Sequence, residues 1–229
     1  MQASTVLTEP ITIRPLRPIE EERRFVIHNV HWSQYEQILE IFGDHRLRIT
    51  YCDGMIELMS PGRDHERFGS LLGRMVETLT EELDIPLVAL SSTTLRRQTV
   101  EKGLEADRSY YLANAYRLGP LDQPFDLETI PPPDLVIEVE ITSALLGKLA
   151  IYAALGVPEV WRHDGRTLRV MLLQPDQTYV ESPQSRAFPF LPMAAFARKL
   201  QDLDATNDTR WAKAFRVWVR EVVVPLHQP

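Results

Sequence analysis

The sequence of 229 residues contains a single cysteine, Cys52. One thiol excludes an intrachain disulfide and every zinc site that needs several thiolates. Any bound metal ion would therefore be held by oxygen ligands or by histidine. Magnesium, manganese and calcium are the leading candidates for such ligands.

Long apolar runs are also lacking. No stretch approaches the roughly 18 apolar residues of a membrane-spanning helix. Charges and prolines interrupt the N-terminal segment, where a signal peptide would need an unbroken apolar core. We therefore expect a cytoplasmic protein without a membrane segment.

The chain has no excess of positive charge, because 25 basic residues face 32 acidic ones and the formal net charge is −7. This balance argues mildly against a protein that coats nucleic acid through bulk positive charge. It remains compatible with a nuclease, since carboxylates that bind metal ions contribute to the negative balance and the ions invert the local field.

The composition, 44% hydrophobic and 25% charged, suits one large globular domain. We predict an N-terminal arm over residues 1–30, a principal domain over 31–191, and a helical extension over 192–229 packed on the same domain. Strand and helix patterns interleave along the chain. This order predicts an α/β (α+β) fold with a mixed central β-sheet flanked by helices.

Periodicity and turn signals locate the individual elements. Helices are predicted from Ser33 to Phe42, from a cap at Asp64 to Leu83, from Thr142 or Ser143 to Gly156, and over much of 193–223. A hairpin is predicted to turn at Asp53-Gly54. Further strands are predicted at 87–91, 94–99, 104–112, 134–141, 160–163, 168–174 and 178–181.

The most informative segment runs from Pro131 to Trp161. Alternate residues of a strand share a face, so Asp134, Glu138 and Glu140 lie on one side of the predicted strand and the apolar residues 135, 137 and 139 on the other. Buried carboxylates are costly unless a cation meets them. That cation could be a metal ion, an arginine or the nearby Lys148. A metal ion would indicate a chemical role for the acids, whereas an arginine or lysine partner would indicate a mostly structural one.

Three segments, DGMIELMSPGRDHE, GLEADRSYYL and PDLVIEVEITSALLGKLAIYAALGVPEVW, resemble the Uma-two family of restriction endonucleases, a branch of the PD-(D/E)xK nuclease superfamily. With the strand pair that follows, they span roughly residues 32–191. The resemblance implies a restriction-endonuclease-like core and metal-dependent hydrolysis of DNA phosphodiester bonds. Its implied cofactor is Mg²⁺, with Mn²⁺ as the alternative, and its implied partner is DNA. We also expect a homodimer.

The resemblance implies a catalytic site of Glu57, Asp107, Glu138 and Lys148, with the three acids as metal ligands. Asp107 matches the aspartate of the PD pair, although Ala106 stands where the family has proline. Glu138 matches the acid of the (D/E)xK half. At the position where the superfamily pattern has lysine, this sequence has Glu140, and the resemblance therefore makes Lys148 the substitute. His65 matches the histidine that opens the family's long helix.

Most of these residues have a structural alternative, which for Asp107 is an exposed acid at a strand end. Glu57 could be a paired, half-buried acid, Glu140 could pair with an arginine, and Lys148 could face solvent, as most helix lysines do. His65 could cap or pack the first turn of its helix. At the level of function, the alternatives are a degenerate nuclease fold that binds DNA or a protein as an accessory factor, and a hydrolase of small phosphoesters.

Overall fold

The computed structural model describes residues 22–42, 47–119, 126–203 and 206–227. The strands are β1 (Arg23–His28), β2 (Arg48–Cys52), β3 (Met55–Ser60), β4 (Val88–Leu90), β5 (Thr94–Arg97), β6 (Lys102–Glu105), β7 (Arg108–Tyr111), β8 (Leu135–Val139), β9 (Glu159–His163), β10 (Leu168–Leu173) and β11 (Tyr179–Ser182). The helices are α1 (Trp32–Phe42), α2 (Arg63–Leu83), α3 (Lys148–Leu155), α4 (Met193–Arg198), α5 (Asp208–Trp218) and α6 (Val224–His227), with a π-helical turn at Val219–Val223. This arrangement confirms the predicted mixture of β-sheet and flanking helices.

The strands are divided between two sheets. An antiparallel sheet of five strands has the order β1-β3-β2-β6-β5. Its central hairpin turns at Asp53 and Gly54, whose φ angles of 46° and 82° are the left-handed values that a two-residue type I′ turn requires. Aromatic side chains of α1 pack on this sheet, and the Tyr35 ring stacks on Tyr51 with centroids 4.8 Å apart.

The second sheet has six strands in the order β11-β10-β9-β8-β7-β4. It is mixed, because β8 runs parallel to β9 while the other neighbouring strands are antiparallel. Leu135, Ile137 and Val139 of β8 pack into one hydrophobic cluster with α2, α4 and α5. Val136 points to the opposite face and packs with α3. The predicted alternation along β8 is therefore confirmed.

Two strands carry the chain from one sheet to the other. The sequence predicts a single strand over 104–112, but the structure divides it into β6 of the five-stranded sheet and β7 of the six-stranded sheet. Ala106 and Asp107 form the connection. Helix α3 lies over this junction, since its apolar residues pack with Leu104 of one sheet and Val160 of the other.

Some element boundaries differ from the predicted ones. Helix α2 begins at Arg63, and Gly62 rather than Asp64 occupies its N-cap position without a side-chain cap. Helix α3 begins only at Lys148, so 140–147 is an irregular segment. Residues 23–28, which the sequence places in an extended arm, form edge strand β1. Gly43, the predicted end of α1, lies outside the described residues.

The C-terminal helices share a core with the six-stranded sheet. Phe196, Trp211 and Phe215 belong to the same hydrophobic cluster as Leu72 of α2 and Ile137 of β8. Burial of each large apolar side chain contributes about 1.5–3 kcal/mol to folding. Among the helices in the described ranges, none has the length and apolar character that crossing a bilayer requires.

Candidate active site

Glu138 and Lys148 form a buried ion pair behind the junction of the two sheets. Their side chains are 3% and 7% exposed, and the Lys148 ammonium donates a hydrogen bond to Glu138 Oε2 at 2.6 Å. The second oxygen, Oε1, accepts a hydrogen bond from the Tyr152 hydroxyl. Lys148 and Tyr152 are four residues apart on α3 and therefore share one face of the helix. The glutamate is thus held from one side by a single helix.

Burial decides the ionisation of this pair. Desolvation raises the pKa of Glu138 to about 7, since the lowering by Lys148 offsets it only in part and the Asp107 carboxylate raises it further. For Lys148, burial lowers the pKa, but the carboxylates of Glu138 and Asp107 outweigh it and leave the pKa above its usual value. Lys148 therefore stays charged at neutral pH, while Glu138 exchanges its proton near neutrality.

Asp107 lies at the connection between β6 and β7, 3% exposed. Its Oδ2 accepts a hydrogen bond at 2.8 Å from the backbone N–H of Val139, the residue after Glu138. Its Oδ1 accepts a hydrogen bond at 3.4 Å from Nε of Arg48 on β2. Nε2 of His65, in the first turn of α2, lies 3.3 Å from Oδ2. Asp107 is consequently held by hydrogen bonds from β2 and β8, and His65 of α2 lies beside it although its Nε2 forms no hydrogen bond among the described residues.

Asp107 and Glu138 are neighbours across the sheet. Strands β7 and β8 pair antiparallel with Arg108 opposite Ile137. Continuing this register by one residue places Asp107 opposite Glu138, and directly opposite residues of an antiparallel pair lie about 5 Å apart at Cα. The mutual repulsion of the two carboxylates is visible in the raised pKa of Glu138. The structure therefore brings these two predicted residues together with Lys148.

Glu57 has a different set of contacts. It lies on β3, buried, and its Oε1 is paired with the guanidinium of Arg24 on β1. Its Oε2 accepts hydrogen bonds from the backbone N–H groups of Leu145 at 2.9 Å and Leu146 at 2.8 Å. These amides belong to the irregular segment that leads into α3. Glu57 therefore ties the five-stranded sheet to the segment that carries Lys148 into place.

The other two acids of the strand predicted over 134–141 have structural contacts. Glu140 pairs with Arg162 and accepts a hydrogen bond from the backbone N–H of Ala144, as the structural alternative predicts. Asp134 accepts hydrogen bonds from the backbone N–H groups of Leu112 and Asn114 and so anchors the loop before β8. Neither residue contacts the pair of Asp107 and Glu138.

Several residues around the site were not predicted. Arg24, Arg48 and Tyr152 each contact one of the acids, as described above. Glu105, two residues before Asp107, has a buried Oε2 without a hydrogen-bond partner among the described residues. Burial raises the pKa of Glu105, and the Asp107 carboxylate raises it further. Only Tyr152 carried a usable signal in the sequence, namely its spacing of four from Lys148.

The donor set suits a metal site built on two carboxylates. Among the described residues, no group of three or more His, Cys, Asp and Glu side chains is close enough to hold a metal ion. Mg²⁺ ordinarily takes one or two carboxylates and keeps several waters. Asp107 and Glu138 supply two carboxylates, and a pocket of about 150 Å³ is lined by Glu138 and Lys148 but not by Asp107. The chemistry of the donor set therefore fits a magnesium ion held by these two acids and water.

Comparison with known proteins gives one family match. The sequence matches the model of the Uma2 family, described as "Putative restriction endonuclease", over residues 32–206. Among solved structures, the chain is similar to "a putative nuclease belonging to DUF820" from Anabaena variabilis ATCC 29413. That likeness has 15% sequence identity and a TM-score of 0.42, and covers 75% of this chain and 90% of the other. No curated protein matches the chain.

Proposed function

The chain belongs to the Uma2 family of restriction-endonuclease-like proteins, and from this membership and the site geometry we propose that it is a magnesium-dependent endonuclease hydrolysing DNA phosphodiester bonds. The observation that carries the proposal is the buried Glu138–Lys148 pair beside Asp107 on the neighbouring strand. An acid, a second acid and an ammonium group at one point are what phosphoryl transfer to water requires: ligands for a cation and a positive charge near the reacting phosphate.

Asp107 and Glu138 are the proposed ligands. A bound Mg²⁺, or Mn²⁺ with the same oxygen ligands, would polarise the phosphoryl oxygens and lower the pKa of a coordinated water. The carboxylate of Asp107 is oriented for this role by hydrogen bonds from Arg48 and from the Val139 N–H. Glu138 must be deprotonated to bind a cation. Its pKa of about 7 means that ligation and loss of the proton are coupled.

Lys148 is the proposed cationic group. Its raised pKa keeps the ammonium protonated, so it acts as a positive charge rather than as a general base. In this role the ammonium would donate hydrogen bonds to a water or to a phosphoryl oxygen. It would thereby orient the attacking water and stabilise the charge that develops in the transition state.

Glu57 is assigned to positioning. Both of its oxygens are engaged, one by Arg24 and the other by two backbone amides directly before α3. These contacts join β3 to the segment that places Lys148 and so support a positioning role. Engaged oxygens alone do not decide against the ligand role that the resemblance implies, because the oxygens of Asp107 and Glu138 are engaged as well. The assignment is testable, because a ligand and a positioning residue differ in their effect on metal affinity.

The rival function, a nuclease fold that binds DNA or a protein without cleaving it, has one observation in its favour. Glu140 replaces the lysine of the (D/E)xK pattern, and it is paired with Arg162 at the wall of the pocket that Glu138 and Lys148 also line. The rival and the proposed function therefore differ in whether Lys148 replaces that lysine.

A plasmid-nicking assay distinguishes them. Purified protein is incubated with supercoiled plasmid in Mg²⁺, in Mn²⁺ and in EDTA, and compared with Asp107→Asn and Glu138→Gln. Glu181→Gln, at an exposed position of β11, is the matched control for loss of one carboxylate. The proposal expects metal-dependent cleavage that both site variants abolish and the control retains. Cleavage that both site variants retain, or no wild-type cleavage with either metal, contradicts it.

A further inference from the structure

A groove beside the proposed site is not used by the chemistry described above. Its volume is about 1130 Å³, and it lies between α2 on one side and β4 with the start of β7 on the other. Arginines predominate among its basic groups: Arg63, Arg67 and Arg74 from α2, and Arg108 from β7. Four carboxylates, those of Asp64, Glu66, Glu77 and Asp208, line the groove as well, so its affinity for an anion depends on which arginines have no carboxylate partner.

The spacing along α2 arranges the groove wall as one stripe. Arg63, Arg67, Ser70, Arg74 and Glu77 all line the groove, and their separations of four, three, four and three residues place them on one face of a helix. Arg63 and Arg74 are exposed and eleven residues apart, which at 1.5 Å per residue is roughly 16 Å. One strand of DNA carries a phosphate about every 3.4 Å along the helix axis, so the stripe extends over about five nucleotides.

Three of these arginines have no carboxylate partner among the described residues. The side chains of Arg63 and Arg74 form no hydrogen bond or ion pair there. The Arg108 guanidinium donates to Ser91 Oγ at 2.6 Å and to a backbone carbonyl. Arg67, by contrast, is paired with Asp208 at 2.8 Å. The unpaired guanidinium groups are therefore available for an anionic ligand.

Backbone geometry keeps Arg108 in the groove. A Cβ atom at Gly73 of α2 would lie 3.0 Å from Arg108 Nε, which is closer than ordinary van der Waals contact. The glycine therefore leaves the space in which the Arg108 guanidinium lies against the helix. Together with its bond to Ser91, this contact holds the guanidinium at the groove wall.

The groove adjoins the proposed site at its Asp107 end. Arg108 follows Asp107 directly in the chain, and Glu66, which lines the groove, shares Arg48 with Asp107. His65, in contact with Asp107, lies between groove residues of α2. A ligand that lies along the α2 stripe therefore comes close to Asp107, whereas Glu138 lies on the opposite face of the six-stranded sheet, the face that packs with α3.

We propose that this groove binds the sugar-phosphate backbone of a DNA strand, with Arg63, Arg74 and Arg108 contacting separate phosphates along about five nucleotides. The inference rests on the proposed function for the identity of the ligand, and adds the surface and the residues that bind it. Among the groove side chains that have no ion-pair partner in the described residues, three are positively charged guanidinium groups and two are negatively charged, the carboxylates of Asp64 and Glu77. A repeating anion that follows the helix suits this stripe, because backbone phosphates contact arginines without regard to base sequence.

The test is DNA binding in EDTA, which separates binding from cleavage. Fluorescence anisotropy of a labelled oligonucleotide, as a duplex and as a single strand, is measured between about 50 and 200 mM salt. The variant is Arg74→Gln with Arg108→Gln. The matched control is Arg117→Gln with Arg198→Gln, two exposed arginines outside the groove whose replacement changes the net charge equally.

The expected result is a dissociation constant for the groove variant that is roughly tenfold higher, with a salt slope smaller by about 2 for duplex DNA and about 1.4 for a single strand, because two phosphate contacts are lost. The control should bind like wild type. Circular dichroism checks folding, and the single variant Arg63→Gln, at an exposed position, provides the same test if the double variant does not fold.

Equal weakening by groove and control variants, or an unchanged salt slope in the groove variant, overturns the proposal. So does normal DNA binding combined with lost binding of a polyglutamate probe, which would make the groove a docking surface for an acidic protein. The outcome is independent of cleavage. If the groove variant cleaves plasmid and binds DNA normally, the groove proposal is contradicted and the endonuclease proposal is retained. If DNA binding depends on the groove but the wild type cleaves nothing, the endonuclease proposal is contradicted and the groove proposal is retained.

Discussion

Replacement of Lys148 by methionine tests both the fold and the chemistry of the buried pair. At the observed 2.6 Å between Nζ and Oε2 and an effective permittivity of about 20, the attraction is about 6 kcal/mol. Desolvation of both groups offsets part of this. Removal of one partner of a buried ion pair typically costs about 3–5 kcal/mol, because the other charge is left uncompensated. We expect a loss of that size for Lys148→Met at pH 8.5.

The loss should depend on pH. Lys148 lowers the pKa of Glu138, which is about 7 with the lysine present, so without it the pKa rises further. An acid whose pKa is raised by folding contributes stability that is present at low pH and lost as pH rises through the folded-state pKa. Lys148→Met should therefore be less destabilised at pH 5.5 than at pH 8.5.

Urea unfolding followed by circular dichroism at the two pH values measures this difference. The double variant Glu138→Gln with Lys148→Met should recover part of the loss, since the uncompensated carboxylate is gone. Lys213→Met, at an exposed position of α5, is the matched control and should change stability by less than about 0.5 kcal/mol. In the plasmid assay, Lys148→Met should lower cleavage by about 10² or more while Mg²⁺ still binds.

A loss below about 0.5 kcal/mol for Lys148→Met, equal at both pH values, would refute the reasoning. The lysine would then be a solvated side chain in solution, and the lysine missing from the (D/E)xK pattern would have no substitute. Should the variant fail to fold at pH 8.5, its unfolding at pH 5.5 still reports the predicted rescue by protonation of Glu138.

Other predictions address the ligands, the positioning residue and the fold. Asp107→Asn should remove most Mg²⁺ binding in calorimetry, and wild-type affinity in this variant would exclude Asp107 as a ligand. Mg²⁺ affinity of the wild type should fall as pH decreases from 8 to 6, because Glu138 with its pKa of about 7 takes up a proton that competes with the cation; a flat profile contradicts this. Glu57→Gln should cost about 1.5–3 kcal/mol in urea unfolding, the range for hydrogen bonds to a charged group, and slow cleavage without changing Mg²⁺ affinity, whereas weakened Mg²⁺ binding would restore its ligand role. Gly103→Ala should destabilise the five-stranded sheet by about 1–3 kcal/mol, since its Cβ would lie 2.3 Å from the buried Tyr35 hydroxyl oxygen; unchanged thermal unfolding would contradict that contact.

Local patterns predicted the elements whose signal is contained in a few adjacent residues. The alternation along β8 placed Glu138 on the face opposite Leu135 and Ile137, and the structure has it there. The Asp53-Gly54 pair predicted its hairpin because both residues adopt left-handed φ angles at little cost. In such cases the energetic preference is local, so one sequence suffices to detect it.

Features that depend on distant contacts were not predictable in the same way. The split of residues 104–112 between two sheets depends on which neighbours pair with β6 and β7, and the apolar pattern of the segment is continuous. The late start of α3 has a similar origin. Polar partners hold residues 140–147 in an irregular conformation, among them Glu57, which lies far away in sequence on β3. The role of Arg24 as a partner of Glu57 was not predictable, because its segment has the charges and prolines that are typical of an extended arm.

The candidate site shows the same division between local and distant information. The resemblance to the family brought forward Asp107, Glu138 and Lys148, and the structure groups these three at one point. What the sequence could not supply was the reason for their proximity. Asp107 occupies the residue at which the chain crosses between sheets, so its carboxylate meets β2, α2 and β8 at once. A residue within a regular strand would face one layer only. The crossing therefore explains why the acid of the short GLEADRSYYL segment, unremarkable by pattern, occupies a position that contacts both sheets and the first turn of α2.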